Sequence, residues 1–338
     1  MKGVRVVFPA PRRVELEEYD VGEPGPGQVL LRTEKTLIST GTELTGLSGE
    51  FPPESAWANY VRYPWRPGYS HVGRVLAVGE GVPGLAPGTL VGSGAPHASL
   101  VIAGTGSVRP LPDGIGAKEA TFARLAATVL NGVRRARIAL GEVVVIAGAG
   151  VLGQLAAQFA RLSGGFPVIA IDLAAGRLQL AARLGTTYTV CLPVADALAE
   201  VRRLSKGRGA DVAFEVTGNP AVVAPLLRLM RREGRVILLG SPRGPSQVDF
   251  HDEVHTLGLS VIGAHASTHP DRETPHHPWT RDRHEELFFD LVAARLLNVR
   301  DLVTHRYAAT EAAAAYGMLL EDRTRAVGVI LDWAGLTS

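Results

Sequence analysis

Three glycines lie at a spacing that suits phosphate binding. In VVVIAGAGVLGQLAAQFARL, Gly148, Gly150 and Gly153 follow an apolar run and open a stretch with helical periodicity. The first glycine permits a tight turn, the second lets the backbone approach a pyrophosphate, and the third allows close helix–strand packing. Val151 and Leu152 fall in the first helical turn, where amide donors and positive potential favour phosphate. The pattern predicts a dinucleotide site.

A carboxylate stands where the ribose of such a dinucleotide would be held. Asp172 ends the next strand-like run, PVIAID, 19 residues beyond Gly153. Its carboxylate can accept hydrogen bonds from both ribose hydroxyls and would repel a 2′-phosphate, so NAD(H) is favoured over NADP(H). Arg177 argues in the other direction, because a nearby arginine can bind that phosphate. Asp172 could also serve as a cap for the helix predicted in LAAGRLQLA.

The elements that position these residues change in character along the chain. Short alternating segments separated by Gly- and Pro-rich turns fill the first part and predict a β-rich domain. From about residue 118, helices and buried strands alternate, which predicts an α/β doubly wound parallel sheet. The last seventy or so residues resemble a return to the first domain. We therefore expect one domain at 1–120 and 268–338, and a nucleotide-binding domain at 121–267.

Composition excludes several classes of function. The chain has 338 residues and a net charge of only +2, so neither nucleic acid nor an anionic membrane is expected as a partner. No apolar run approaches the roughly 20 residues that span a bilayer. The single cysteine, Cys191, excludes an intramolecular disulfide and a multi-cysteine zinc lobe. We expect a cytoplasmic protein.

Several segments resemble the medium-chain dehydrogenase/reductase superfamily over nearly the full chain: GEPGPGQVLLRTEKTLISTGTE, RPGYSHVGRVLAVGEGVPGLAPGTLV, GADVAFEVTGNP and REGRVILLGSP. The resemblance implies a GroES-like β-rich catalytic domain joined to a Rossmann domain that binds NAD. It also implies that Thr217 and Gly240 line the cofactor site, and that LSVIGAH pairs across a homodimer. ISTGTE, PGYSHVGRV and the C-terminal segments most resemble the group that contains bacteriochlorophyllide-a dehydrogenase.

The resemblance also identifies four positions that hold catalytic zinc in relatives. Family members place Cys, His, Glu, and Cys or Asp there, whereas this chain has Thr40, Tyr69, Ser70 and, by spacing, Arg124. Hydroxyl, phenol and guanidinium groups are poor zinc ligands, and a permanent cation repels a metal. The sequence therefore predicts the zinc-site framework without a metal.

Alcohol oxidation without zinc needs another proton acceptor and another group to stabilise the alkoxide. Tyr69 is our first choice, with the cationic Arg124 beside it to lower its pKa. Glu43 occupies the position of an acid that supports the metal-bound histidine in relatives, and is expected to contact Tyr69 or His71. Thr40 could bind the substrate oxygen or the nicotinamide ribose. His71 is either a second proton-transfer residue or a hydrogen-bonded structural histidine.

A loop near residue 270 is rich in histidine and raises the question of a second metal site. It contains His265, His269, His276, His277 and His284. Pro275 and Pro278 interrupt any regular spacing, so we expect no metal. The resemblance implies that this loop lines the substrate site, with His265 and Trp279 as its contact residues.

Together these features predict a zinc-independent, NAD-dependent dehydrogenase. It would interconvert a secondary alcohol and a ketone, with a small-molecule polyol, cyclitol, sugar or hydroxyalkyl group as substrate. One alternative is an NADPH-dependent quinone or enone reductase, against which Asp172 argues. Another is a non-catalytic nucleotide-binding relative, which would bind NADH without turnover.

Overall fold

A computed structural model describes residues 1–336 and divides the chain into two compact units. Unit 1 comprises Met1–Arg124 and Phe289–Ser338, and unit 2 comprises Leu125–Phe288. The histidine-rich loop is therefore part of unit 2, whereas the sequence pattern predicts it in the first domain. The boundaries of the functional domains stay predictions.

The first stretch of unit 1 is made of short strands separated by turns. Gly- and Pro-rich segments interrupt it as the sequence predicts. Its elements are β1 Lys2–Val7, β2 Glu15–Asp20, β3 Gln28–Leu37, α1 Thr42–Ser48, α2 Ala56–Tyr60, β4 His71–Val78, β5 Leu90–Ser93, β6 Leu100–Gly104, β7 Val108–Pro110 and α3 Ala117–Ala120.

Strands and helices then alternate. The elements are α4 Ala123–Ala136, β8 Val144–Ala147, α5 Val151–Leu162, β9 Val168–Ile171, α6 Ala175–Arg183, β10 Tyr188–Val190, α7 Leu198–Leu204, β11 Ala210–Glu215, α8 Val223–Arg228, β12 Met230–Leu238, β13 Ser260–Gly263 and α9 Arg281–Ala293. The unit boundaries fall inside α4 and α9.

The chain returns to unit 1 with β14 Val303–Ala308, α10 Ala312–Asp322 and β15 Gly328–Asp332. The sheet there follows the order β14-β15-β3-β4-β5-β7, with β6 also paired to β3. Its pairs are antiparallel except β14 with β15. Phe8, Leu47, Tyr316 and Trp333 pack in one core cluster, which ties the C-terminal helix to the N-terminal strands.

Unit 2 contains a six-stranded parallel sheet in the order β10-β9-β8-β11-β12-β13. This is the Rossmann strand order, with its reversal between β8 and β11. The apolar runs of β8 and β9 are buried along their whole length, as strands covered on both faces must be. The α/β fold with a Rossmann sheet is confirmed. β13 lies at the edge of the sheet, and its pairing in a dimer stays a prediction.

Within residues 1–336, no helix is both long and apolar enough to cross a membrane.

Candidate active site

The glycine-rich turn joins β8 to α5 in unit 2. Gly148 has φ of 106°, in the left-handed region that favours glycine. A Cβ on Gly153 would lie 1.9 Å from the carbonyl oxygen of Gly148, so only glycine fits there without movement. Gly150 is the N-cap of α5 and has open space at its Cβ position. The amides at the start of α5, with Val151 and Leu152 in the first turn, can therefore approach a pyrophosphate.

Asp172 follows β9 directly and links the glycine-rich turn to the end of that strand by a hydrogen bond. Its Oδ2 accepts from the Ala149 amide at 2.6 Å, and its Oδ1 accepts from the Ala174 amide at 2.8 Å. Arg177 Nη1 lies 3.9 Å from Oδ2. Asp172 is not the cap of α6, the alternative that the sequence left open, because Ala174 is the N-cap residue and no side chain among the described residues caps this helix. A carboxylate has about four acceptor sites, so two amide bonds leave capacity for ribose hydroxyls.

Glu215 organises the remaining predicted cofactor residues, and no motif in the sequence indicates it. This fully buried side chain at the end of β11 accepts from the Thr217 amide at 2.7 Å and from the Thr217 hydroxyl. Its backbone oxygen accepts from the Gly240 amide at 2.7 Å. Burial raises the pKa of Glu215. A Cβ on Gly148 would lie 3.0 Å from Thr217 Cγ2, so the structure brings Gly148, Thr217 and Gly240 together.

Tyr69 lies in unit 1, in the segment just before β4. Its half-buried side chain donates a hydrogen bond to Ser39 Oγ at 2.5 Å, and Thr42 Oγ1 lies 3.3 Å from the phenol oxygen. Burial raises the pKa of Tyr69 to about 12, and the charge of Glu43 adds to the rise while the two hydroxyl contacts oppose it. The expected lowering by Arg124 is therefore wrong. Tyr69 is a neutral phenol at ordinary pH.

Glu43 lies in α1 and is fully buried. Its Oε1 accepts from the Ser39 amide at 2.9 Å, and its Oε2 accepts from His97 Nε2 at 2.9 Å and from the Tyr316 hydroxyl. The expected contact with Tyr69 or His71 is thus replaced by contacts with His97 and Tyr316. No local sequence pattern indicates these partners, which lie 54 and 273 residues away.

His71 is buried in β4, with both ring nitrogens hydrogen-bonded. Thr33 gives its hydroxyl hydrogen to Ala98, so its oxygen, 2.9 Å from His71 Nε2, accepts from the ring. Ser93 Oγ then donates to Nδ1 at 2.8 Å. Burial, reinforced by the charge of His97, lowers the pKa of His71 to about 3. This geometry favours a neutral structural histidine over a proton-transfer residue.

The other positions at which the resemblance implies zinc ligands are Thr40, Ser70 and Arg124, and their side chains are unsuitable ligands. Thr40 is half-buried in the turn before α1, and the Ser70 hydroxyl is buried without a partner among the described residues. Arg124 lies against Gly94, where a Cβ would be 2.5 Å from Nη2. Residues 1–336 contain no group of three or more His, Cys, Asp or Glu side chains that could hold a metal ion. The donor set does not fit zinc.

The histidine-rich loop is held by contacts of its own within unit 2. His265 is exposed, and its Nδ1 lies 2.7 Å from Ser267 Oγ. Trp279 stacks on His284, with the Arg134 guanidinium 3.0 Å from its ring centroid. Arg134 Nε donates to His284 Nε2 at 3.0 Å. A substrate role for His265 and Trp279 stays a prediction.

Comparison with known proteins adds the family context. Residues 151–279 match a family described as zinc-binding dehydrogenase. An L-threonine 3-dehydrogenase from Pyrococcus furiosus is 29% identical over 327 residues, covering 87% of this chain and 88% of the relative. A D-guloside 3-dehydrogenase from Escherichia coli is 26% identical over 320 residues, covering 88% and 91%. The chain is therefore similar to dehydrogenases over most of its length.

Solved structures show the same fold over nearly the whole chain. An oxidoreductase/dehydrogenase of unknown specificity from Escherichia coli aligns with a TM-score of 0.82 at 19% identity, covering 98% of this chain and 99% of the other. The predicted combination of a GroES-like domain and a Rossmann domain is thereby confirmed. The closer resemblance to the bacteriochlorophyllide-a dehydrogenase group stays a prediction.

Proposed function

We propose that the protein is a zinc-independent, NAD(H)-dependent dehydrogenase that interconverts a secondary alcohol and a ketone. The observation that carries this proposal is the Tyr69 phenol. It is neutral, and its oxygen is near two hydroxyl groups. The sequence resemblance implies that zinc-dependent family members have a histidine ligand at this position. A neutral phenol can donate a hydrogen bond to the substrate oxygen, which a zinc ion would otherwise stabilise as a Lewis acid.

The residues of unit 2 fit a dinucleotide. The space that Gly148 and Gly153 leave clear, with the amides at the start of α5, would hold the pyrophosphate. Asp172 would accept from the ribose, and Thr217 and Gly240 would line the site. When bound, NAD⁺ accepts a hydride from the alcohol carbon, and NADH returns it to the ketone.

Tyr69 would donate the proton in ketone reduction and accept it in alcohol oxidation. Its single proton turns from Ser39 Oγ toward the substrate oxygen when substrate binds, and the Ser39 hydroxyl can then donate to the phenol oxygen. In ketone reduction the carbonyl carbon gains a hydride, its oxygen gains the Tyr69 proton, and solvent reprotonates the phenolate. Oxidation of the alcohol reverses these transfers. The hydroxyl groups of Ser39 and Thr42 stabilise the phenolate by hydrogen bonding.

The substrate class that we propose is a polyol, cyclitol, sugar or hydroxyalkyl group. The relatives' names denote dehydrogenases of L-threonine and D-guloside. A panel of such alcohols and the matching ketones, assayed with NAD(H) and with NADP(H), tests the proposal. Turnover of enones or quinones with NADPH would indicate the reductase alternative. NADH binding without any turnover would indicate a non-catalytic protein.

Cofactor choice is tested at Asp172. The Asp172→Ser variant should raise the KM for NAD⁺ and relax discrimination against NADP⁺, because a charge that repels a 2′-phosphate is removed. Titration of NADH and NADPH by fluorescence measures both affinities. Asp172→Asn is the matched control for charge, since it keeps the side-chain volume. Tighter NADPH than NADH binding by the wild type would show that the NAD assignment is wrong.

A further inference from the structure

Tyr69 is connected through Ser39 to a buried carboxylate, Glu43, that the proposed proton transfer does not use. Ser39 accepts from the Tyr69 hydroxyl through its side chain and donates to Glu43 Oε1 through its amide. The second oxygen of Glu43 accepts from His97 and Tyr316. Glu43, His97 and Tyr316 are all fully buried. The nearby Ser39 amide and two side chains that are distant along the chain therefore fix the Glu43 carboxylate. Ser39 in turn accepts the hydrogen bond from the phenol.

His97 also supports the Tyr69 segment by a second route. Its amide donates to the Pro67 carbonyl oxygen at 2.9 Å. A Cβ on Gly68 would lie 2.6 Å from the His97 nitrogen and 2.9 Å from its ring. Gly68 has φ of 103°, so the backbone just before Tyr69 takes a conformation that L side chains rarely adopt. The imidazole packs against this glycine while its Nε2 binds Glu43.

Tyr316 completes the network from α10. Burial and the adjacent Glu43 charge raise the pKa of Tyr316 well above its ordinary value, so its hydroxyl stays protonated and donates to the carboxylate. Its ring packs edge-on against Phe8 at 5.0 Å between centroids. The ring therefore has a packing role that is separate from the hydroxyl. Removing the oxygen alone should leave the core filled.

We propose that His97 and Tyr316 are positioning residues for the dehydrogenase reaction, which fix Glu43 and Ser39 so that the Tyr69 phenol points at the substrate oxygen. The inference rests on the proposed function. Neither residue needs to touch the substrate. Their effect should appear in turnover, because a misdirected proton donor weakens the transition state more than it weakens cofactor binding.

The hydroxyl of Tyr316 is tested by Tyr316→Phe, with Tyr19→Phe as the matched control. Tyr19 is also in unit 1 and also donates its hydroxyl hydrogen, but to the carbonyl of Leu100. Tyr316→Phe should lower kcat by roughly 10-fold with an unchanged KM for NAD⁺, since small displacements of reacting groups carry penalties of this order. Tyr19→Phe should keep the wild-type kcat. Circular dichroism at the assay temperature checks that both variants are folded.

The imidazole is tested by a conservative rescue. His97→Gln keeps an N–H donor that can reach Glu43, whereas His97→Leu keeps bulk and loses the donor. We expect kcat to fall on the order of 10-fold in His97→Leu and to recover most of its value in His97→Gln. Two variants with equal kcat, or a loss that appears only in Tm, would overturn the positioning role.

The outcomes separate this inference from the function on which it rests. An active wild type with Tyr316→Phe and His97→Leu at full kcat overturns the positioning role and leaves the dehydrogenase assignment standing. A wild type with no turnover on any alcohol or ketone overturns both. Reduced kcat in both variants, with rescue by His97→Gln and an unchanged Tyr19→Phe control, supports the inference.

Discussion

At the scale of single residues, the proposed reaction depends on the hydroxyl group of Tyr69. Tyr69→Phe removes the phenol oxygen and keeps the ring, so packing should change little. We expect kcat to fall by about 10²-fold or more, the size expected for loss of a proton-transfer group or an oxyanion donor. NADH affinity should stay unchanged. Tyr63→Phe is a suitable control in steady-state kinetics, because that hydroxyl donates to the Gly46 carbonyl instead. Full activity in Tyr69→Phe would reduce the tyrosine to a space-filling role.

The pKa of Tyr69 sets a pH dependence of opposite sign in the two directions. The phenol is protonated below its pKa of about 12, so it remains a loaded proton donor for ketone reduction across neutral pH. Alcohol oxidation needs the phenolate, whose fraction rises about tenfold per pH unit below that pKa. The logarithm of kcat for oxidation should therefore rise with a slope near 1, while reduction stays flat. A plateau for oxidation below pH 8 would point to a different base.

The sequence could identify Tyr69 but not its surroundings. A motif with two altered ligand positions singles out Tyr69 and Ser70, because the framework around them is kept. The predicted lowering of the Tyr69 pKa is wrong, because burial and the charge of Glu43 raise it. His97 lies in a loop with no motif around it. Hydrogen bonds across 54 and 273 residues depend on packing that no local pattern encodes.

At the scale of elements, the β8–α5 turn is tightly constrained. Gly153→Ala would place a Cβ 1.9 Å from the Gly148 carbonyl, so the turn or the helix must move. Forcing extra volume into a packed site costs roughly 1–3 kcal/mol, and we expect NADH affinity to fall at least about tenfold. Gly176→Ala in α6 is the control, because its Cβ would meet open space. Normal NADH binding by Gly153→Ala would contradict the assignment of the turn.

The order of elements was predictable because each local pattern agreed with the whole. Buried apolar strands such as β8 and β9, alternating with helices, leave a parallel sheet as the simplest arrangement. The role of Glu215 was not predictable, although it ends β11 in the run DVAFE, where an acid follows an apolar strand. Its role depends on the return of Gly240 from β12, a contact between separate strands.

At the scale of the whole molecule, residues 151–279 match a family described as zinc-binding dehydrogenase, whereas the four positions at which the resemblance implies zinc ligands lie outside that match. Thr40, Tyr69, Ser70 and Arg124 offer hydroxyl, phenol and guanidinium groups. Because coordination depends on the atoms present, this donor set supports our proposal that the reaction is zinc-independent. The cytoplasmic location and the homodimer stay predictions.

Zinc content and turnover, measured on the same sample, test the proposed zinc independence most directly. Wild-type protein is dialysed against a chelator, its zinc is measured by mass spectrometry, and its rate of ketone reduction with NADH is compared with that of untreated protein. We predict well under one zinc per chain before treatment and an unchanged rate after it. Loss of activity on dialysis, restored by added zinc, would contradict the account.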